Sequence, residues 1–200
     1  MKTIIYILAL FAFVSCSQDD KAKKDTSFSL PPETQTGANT FGVTINGKVY
    51  VPRDPTGVSV GPSAKGMIFW GAPDNVSWNE IEVVDGASSP SFQIIIHLQN
   101  FNATGVAQYT LKQSNFHKGI DSTPNNHIYF NIWDSNIKNY AYYGSVENQG
   151  FIDVLRNSNG IVSGKFSGKF VRYDNPNEFI TIADGRFDIN TFTLQNHSFF

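Results

Sequence analysis

The clearest structural signal in the sequence is the stretch Val162-Ser-Gly-Lys-Phe-Ser-Gly-Lys-Phe-Val-Arg-Tyr173. Its residues alternate in character, so that one face of an extended chain carries Gly164, Phe166, Gly168 and Phe170. Lysine and serine occupy the opposite face. A period of two with phenylalanine pointing inward predicts a β-strand. The glycines predict close approach of a neighbouring backbone or a bend in the strand.

The same kind of pattern recurs along the chain. Asn46-Gly47 lies between Phe41–Ile45 and Lys48–Val51, which indicates a β-hairpin with a type I′ turn. Further strands are predicted at Gly66–Trp70, Glu80–Val84, Phe92–Gln99, Ala107–Leu111, Ile128–Trp133, Tyr140–Ser145, Phe151–Leu155 and Phe179–Ile189. Short strands between turn residues predict an all-β fold of about ten strands with little helix. We expect an antiparallel β-sandwich or a partly closed barrel.

The amino terminus predicts export and lipid attachment. Lys2 precedes an apolar run, Ile4–Val14, and small residues lead to Cys16, the only cysteine in the chain. This order is typical of a lipoprotein signal peptide over residues 1–15. Cys16 would become the first residue and carry a diacylglycerol, with acyl chains such as palmitate. The apolar run is too short to span a bilayer, which needs about 20 residues, so lipid is the expected membrane anchor.

The remaining chain is predicted to form a tether and one domain. Residues 16–39 are polar and predict a flexible tether, and residues 40–200 predict a single all-β domain. A lone cysteine leaves no disulfide, so 17 Phe, 8 Tyr and 3 Trp must supply the core. The net charge of −2 provides no basic face, which argues against nucleic acid as a partner.

Distinctive motifs lie near both ends of the predicted domain. They are Leu30-Pro-Pro-Glu-Thr-Gln-Thr-Gly-Ala-Asn-Thr-Phe-Gly42 and Ile180-Thr-Ile-Ala-Asp-Gly-Arg-Phe-Asp188. Together with Ile45–Pro52 and Ile161–Phe166, they resemble a family of small Bacteroidota lipoproteins whose domain has no assigned function. The resemblance implies fold and location, and it implies no catalytic residue and no ligand. Cys16-Ser-Gln-Asp-Asp20 also resembles the acidic export tags that direct such lipoproteins to the outer face of the outer membrane.

The residue types that usually carry catalysis form no recognisable motif. None of the four histidines has the short spacing of zinc ligands: His97, His117, His127 and His197. No metal and no other cofactor is therefore predicted, and His97 and His127 are interpreted as hydrogen-bonded sheet residues. Glu80 and Glu82 share one strand face, which we interpret as solvated. A glycoside hydrolase would need two carboxylates from separate strands.

Aromatic residues and one loop motif are the candidate binding and modification sites. Trp70, Trp78 and Trp133, with Tyr140, Tyr142 and Tyr143, are candidates for a flat platform that binds sugar rings. The alternative is that these rings belong to the core, and Tyr143 must point opposite to its neighbour Tyr142. Separately, Asp121-Ser122-Thr123 matches the O-glycosylation pattern of Bacteroidota, in a predicted long loop at 114–126.

These observations predict a lipid-anchored outer-membrane protein, displayed at the cell surface, with a non-catalytic binding or accessory role. Its expected partner is a glycan or an envelope protein. One alternative is a small-ligand carrier, if the strands enclose an apolar cavity. The other is a glycan hydrolase that uses carboxylates from separate strands.

Overall fold

The described part of the chain folds into one curled antiparallel sheet of ten strands, which confirms the prediction of an all-β fold. The computed structural model describes residues 28–57, 65–71 and 77–200. The strands are β1 (Thr40–Ile45), β2 (Lys48–Tyr50), β3 (Met67–Gly71), β4 (Trp78–Asp85), β5 (Phe92–Gln99), β6 (Gln108–Thr110), β7 (His127–Asp134), β8 (Asn139–Ser158), β9 (Ile161–Arg172) and β10 (Phe179–Asn190). Within the described ranges, helix is limited to α1 (Phe101–Thr104) and two 3-10 turns, Gly119–Asp121 and Leu194–Asn196. None of these helices is long and apolar enough to cross a membrane.

The strand order is β2-β1-β10-β9-β8-β7-β5-β4-β3, with β6 pairing with β8 as a side branch. The sheet curls into a half-barrel, and its first edge returns towards β4 and β5. Arg53, which follows β2, forms a parallel bridge with Asp85 at the end of β4. The ring of Tyr50 stacks on that of Phe92, with centroids 4.2 Å apart. One curled sheet, rather than two stacked sheets, therefore encloses the core.

The strand β8 joins two segments that the sequence predicted as separate strands. Its pairing with β9 continues along its length, with register irregularities between Ser145 and Gly150 and again after Val154. On its other side, β8 pairs first with β7 and then with β6. The polar residues between the two predicted strands were interpreted as a gap. They form instead an irregular stretch of a strand that β9 holds together.

The inner face of the sheet is filled by apolar side chains. Its largest fully buried rings are Phe41, Phe92, Phe130, Phe166 and Phe170. A Cβ atom at Gly164 would lie 2.6 Å from the ring of Phe187, so glycine leaves the space that this ring fills. Gly185 makes the same room for the ring of Phe166. The predicted close approach of a neighbouring backbone is confirmed at Gly164 and Gly168 of β9, where an added Cβ atom would meet the carbonyl oxygens of Asp153 and Gln149 on β8.

The leading segment, residues 28–39, departs from the predicted tether because it lies against the sheet. Asp188, which is 1% exposed, accepts hydrogen bonds from Thr34 Oγ1 at 2.6 Å, Gly37 N–H at 2.8 Å and Ala38 N–H at 3.2 Å. Burial raises the pKa of Asp188, but these bonds outweigh it and hold the pKa below its ordinary value. The polar composition of residues 28–39 predicted a flexible chain. The buried carboxylate of Asp188 instead binds the polar groups of this segment and holds it on the sheet.

Candidate functional site

The outer face of the sheet, which points away from the core, divides into two patches. Residues 112–126, called the covering loop, lie over part of this face. Ile95 is absent from the core cluster and is still fully buried, so this part of the outer face is shielded from water. The covered patch consists of Glu80, Glu82, His97 and His127. The open patch beside it consists of Gln93, Asn131, Trp133, Tyr140, Tyr142 and Tyr173.

Glu80 is the deepest attachment point of the covering loop. Its carboxylate is 2% exposed and accepts hydrogen bonds from Gly119 N–H at 2.6 Å and from His97 Nδ1 at 2.8 Å. The prediction of a solvated face at Glu80 and Glu82 is therefore wrong. Strand alternation placed both side chains on the outer face correctly, but the loop, which is distant in sequence, removes that face from water.

Glu82 is the second attachment point. It accepts hydrogen bonds from Gln93 Nε2 at 2.7 Å and Trp70 Nε1 at 3.2 Å. Lys118 Nζ of the covering loop lies 3.3 Å from both of its carboxylate oxygens. Each buried carboxylate thus has several donors, as a buried charge requires.

His127 lies beneath the loop between two serines. Its Nδ1 is 2.9 Å from Ser114 Oγ, and its Nε2 bonds to Ser122 Oγ. Burial lowers the pKa of His127 to about 3, and the neighbouring His97 lowers it further in the same direction. His127 is therefore neutral near pH 7, with one ring nitrogen donating and the other accepting. The interpretation of His97 and His127 as hydrogen-bonded sheet residues is confirmed.

The pairing of Ser122 with His127 fixes the loop and is poorly suited to catalysis. The Nδ1 of His127 faces a hydroxyl rather than a carboxylate that would stabilise an imidazolium ion. A histidine with a pKa of about 3 is a weak proton acceptor near neutral pH. In the described part of the chain, no group of three or more His, Cys, Asp or Glu side chains could hold a metal ion.

The three tryptophans do not form one platform. Trp70 lies on β3 and bonds to Glu82, and Trp78 stacks on His97 with ring centroids 5.8 Å apart. Both therefore border the covered patch. Strands β4 and β5 separate Trp133 on β7 from Trp70 on β3. His127 and Trp133 lie near opposite ends of β7. At about 3.3 Å per residue, His127 and Trp133 are roughly 20 Å apart along β7.

The open patch groups Trp133 with tyrosines instead. Trp133 pairs with Tyr140 across the strands, with ring centroids 5.5 Å apart in an edge-to-face arrangement. Tyr142 pairs with Asn131, and the N–H of Tyr173 bonds to the carbonyl of Tyr142 at 2.9 Å. Trp133, Tyr142 and Tyr173 are 43%, 44% and 71% exposed. Trp133 and Tyr142 lie on adjacent strands of the sheet, which fixes their backbone positions. Tyr173 directly follows β9, and its ring packs edge-to-face on Phe116 of the covering loop, with centroids 5.0 Å apart.

Tyr140 and Tyr143 define the limits of the open patch. The hydroxyl of Tyr140 accepts a hydrogen bond from Ser91 N–H at 3.1 Å, which holds the half-buried ring beside Trp133. Tyr143 points inward and is 3% exposed, which confirms that it faces opposite to Tyr142. Sequence alternation therefore assigned these three tyrosines to the correct faces.

The charged residues next to the open patch are directed to the other side of the sheet. Asp134 follows Trp133 along β7, and Arg172 precedes Tyr173, so both alternate to the inner side. There they form an ion pair at 2.8 Å, which Glu178 and Asp174 extend. The side chains of the open patch are consequently aromatic or amide, and none is charged.

Tyr173 and Asn131 were not predicted as site residues. Tyr173 is the last residue of the stretch 162–173, which has the clearest alternation in the chain. The face of the sheet on which Tyr173 lies was therefore predictable. The neighbours of Tyr173 were not, because they depend on the pairing of β8 with β9. The relevant signal is that Lys169, Val171 and Tyr173 alternate with the inward phenylalanines.

The two predicted modification sites have different positions. Ser122 is half-buried, and its hydroxyl bonds to His127, so a glycan at Ser122 would displace part of the covering loop. Cys16, the predicted signal peptide and residues 16–27 of the predicted tether lie outside the described residues, as do residues 58–64 between β2 and β3.

Comparison with protein-family models, with curated proteins and with solved structures found no match to this chain. The geometry of the open patch is therefore the main support for a function.

Proposed function

We propose that this protein is a lipid-anchored cell-envelope protein of the outer membrane, and that its domain is a non-catalytic glycan-binding module. The observation that carries the proposal is the open patch, a row of exposed aromatic rings and amides on adjacent strands. The lipid anchor at Cys16, surface display and membership of the Bacteroidota lipoprotein family are parts of the same proposal, and they rest on sequence.

The chemistry of the open patch suits sugars. A pyranose ring has an apolar face of C–H groups that packs on Trp or Tyr, and its hydroxyl groups need hydrogen-bonding partners. Among the described residues, the amide of Asn131 and the hydroxyls of Tyr142 and Tyr173 form no side-chain hydrogen bond. They are available to a ligand. Because the strands are already fixed, binding costs little conformational entropy of the backbone.

The alternatives have less support from the packing. A carrier needs an enclosed apolar cavity, but large phenylalanine rings fill the inner face of the described sheet. A hydrolase needs carboxylates that reach a substrate. Glu80 and Glu82 are instead 2% and 5% exposed and lie beneath the covering loop.

The binding claim is tested with the full-length lipoprotein in detergent on a mixed glycan array, in parallel with capture from envelope extracts. We expect glycan binding that Trp133→Ala and Tyr142→Ala each weaken about tenfold, the value of one lost ring contact. Phe192→Ala is the matched control, because Phe192 is an exposed aromatic residue (74%) outside the patch. Binding that survives both patch variants, or capture of a protein without any glycan, would contradict the proposal.

The anchor is tested separately in cells. Cys16→Ala should move the protein out of the membrane fraction and abolish incorporation of a labelled fatty acid. Protease added to intact cells should degrade the wild-type domain if it is displayed at the surface. A Cys16→Ala protein that stayed in the membrane fraction would refute lipid anchoring, and full protection of the domain would refute surface display.

A further inference from the structure

We infer that the open patch binds the interior of a neutral glycan chain and does not recognise a chain end or an acidic sugar. This inference rests on the proposed function and specifies its ligand. Three features of the patch support it: the absence of charge among its side chains, the separation of its rings and the exposed residues beyond its two ends.

The charge pattern favours a neutral chain. A uronate, sulfate or phosphate group would need a cation or several free N–H donors, and the open patch provides only amides, phenols and an indole. The nearest guanidinium, that of Arg172, lies on the inner side and is already paired with Asp134, Asp174 and Glu178. An acidic sugar on the patch would lose hydration without meeting a countercharge among the patch side chains. At the borders, Lys118 is paired with Glu82 at 3.3 Å, and Lys138 lies in the exposed turn beyond Trp133.

The separation of the rings requires more than one sugar. Trp133 lies on β7 and Tyr173 directly follows β9, so β8 separates them, and they differ by about two positions along the strand direction. With about 4.8 Å between strands and about 3.3 Å per residue, the two positions are roughly 12 Å apart. A single pyranose can contact one of these rings but not both. Tyr142 and Asn131 lie between them and can contact the intervening sugar.

The residues beyond each end of the open patch are exposed to solvent. Beyond Trp133, the turn at residues 135–139 is exposed, and beyond Tyr173, residues 174–177 are exposed as well. The ring of Phe116 in the covering loop packs edge-to-face against Tyr173, with centroids 5.0 Å apart, while the residues that follow Tyr173 stay exposed. A chain can therefore continue past each end of the patch, as an internal segment of a polysaccharide would.

The test measures affinities of full-length protein in detergent for soluble polysaccharides and for a length series of oligosaccharides. Neutral β-glucan, mannan and galactan are compared with polygalacturonate and alginate. We expect retention by at least one neutral polymer, none by the acidic ones, and affinity that rises with length until the oligosaccharide spans both ends. Trp133→Ala and Tyr173→Ala should each reduce binding of the long oligosaccharide about tenfold. Both variants should also remove the advantage of the longer ligand over the shorter one.

The outcomes separate this inference from the proposed function. Acidic polymers that bind through Trp133 and Tyr142, or a monosaccharide that competes as well as a long oligosaccharide, would overturn the inference and leave glycan binding intact. An absence of glycan binding, or capture of an envelope protein in its place, would overturn both. Phe192→Ala again serves as the control, because it should change none of these affinities.

Discussion

The covered patch and the open patch occupy the same face of the same sheet, yet they have opposite relations to water. In the covered patch, Glu80 and His127 are buried and bonded to the covering loop. In the open patch, Trp133 and Tyr173 are exposed. Strand alternation places all four side chains on the outer face. The covering loop therefore determines which part of that face contributes to stability and which part is free to bind.

The loop remains over one patch because that patch contains charge. The contacts with Glu80 and Glu82 are charge-assisted hydrogen bonds in a buried site, which are stronger than bonds between neutral groups. Phe116 of the loop also packs over Gly144, where a Cβ atom would lie 2.6 Å from its ring. The open patch has no charge to hold such a loop, and its polar groups remain available.

The largest expected effect is the loss of Glu80. Glu80→Ala leaves His97 Nδ1 and Gly119 N–H without an acceptor in a buried site, so we expect the free energy of unfolding to fall by about 3 kcal/mol. Urea denaturation measures this change. Glu147→Ala is the matched control, since Glu147 also bonds to the covering loop, at Lys112 and Gln113, but is half exposed. Equal losses for the two variants would refute the importance of burial.

The second prediction concerns pH and His127. In the unfolded chain His127 has its ordinary pKa of 6.5, and in the folded chain the value is about 3. Between these two pH values, His127 is protonated in the unfolded chain and neutral in the folded chain. Stability is therefore complete above pH 6.5 and falls with decreasing pH, at up to about 1.4 kcal/mol per pH unit. Lowering the pH from 6.5 to 5 should cost about 2 kcal/mol.

The histidine contribution is isolated by comparing variants in denaturation experiments across that pH range. His127→Gln keeps a neutral hydrogen-bonding group and should flatten the slope between pH 6.5 and 4. His117→Gln removes an exposed histidine of the covering loop and should leave the slope unchanged. Asp188 loses its own contribution at lower pH, because its pKa in the folded chain is below the ordinary value. An unchanged slope in His127→Gln would contradict the assignment.

The third prediction concerns the fit of the covering loop. Gly144→Ala would place its Cβ atom against the ring of Phe116 and 2.8 Å from Ser114 Cβ. We expect a loss of about 1–2 kcal/mol from overpacking and faster amide hydrogen exchange within the loop. Gly71→Ala is the control on the same sheet, because its Cβ atom would meet only Asn79 Nδ2, at 3.6 Å. No change in loop exchange for Gly144→Ala would argue against close packing.

The smallest expected effect on stability comes from the open patch. Tyr173→Ala should change the free energy of unfolding by no more than about 0.5 kcal/mol, because the side chain is 71% exposed and its ring contact is a single edge-to-face one with Phe116, with centroids 5.0 Å apart. The same variant should weaken glycan binding about tenfold. A large loss of stability would mean that Tyr173 is structural and would remove it from the binding surface.

Local pattern accounts for much of the fold. The alternation in β9 predicted its inward phenylalanines, and alternation in β8 separated Tyr142 from Tyr143 correctly. Two predictions were wrong because they inferred solvation from local polarity. Glu80 and Glu82 are buried by a loop more than thirty residues away in sequence, and residues 34–38 are bound by Asp188. Neither contact has a local signature, since each joins segments that are distant along the chain.

The amino-acid sequence was sufficient for most of the strands and their faces and for the expectation of lipid attachment at Cys16, because periodicity and signal-peptide composition are properties of neighbouring residues. The tertiary structure was needed for the order of strands, the course of the covering loop and the grouping of Trp133 with Tyr142 and Tyr173. These features depend on long-range pairing and on which polar groups find partners. The two patches therefore look alike in the sequence and differ only after the chain has folded.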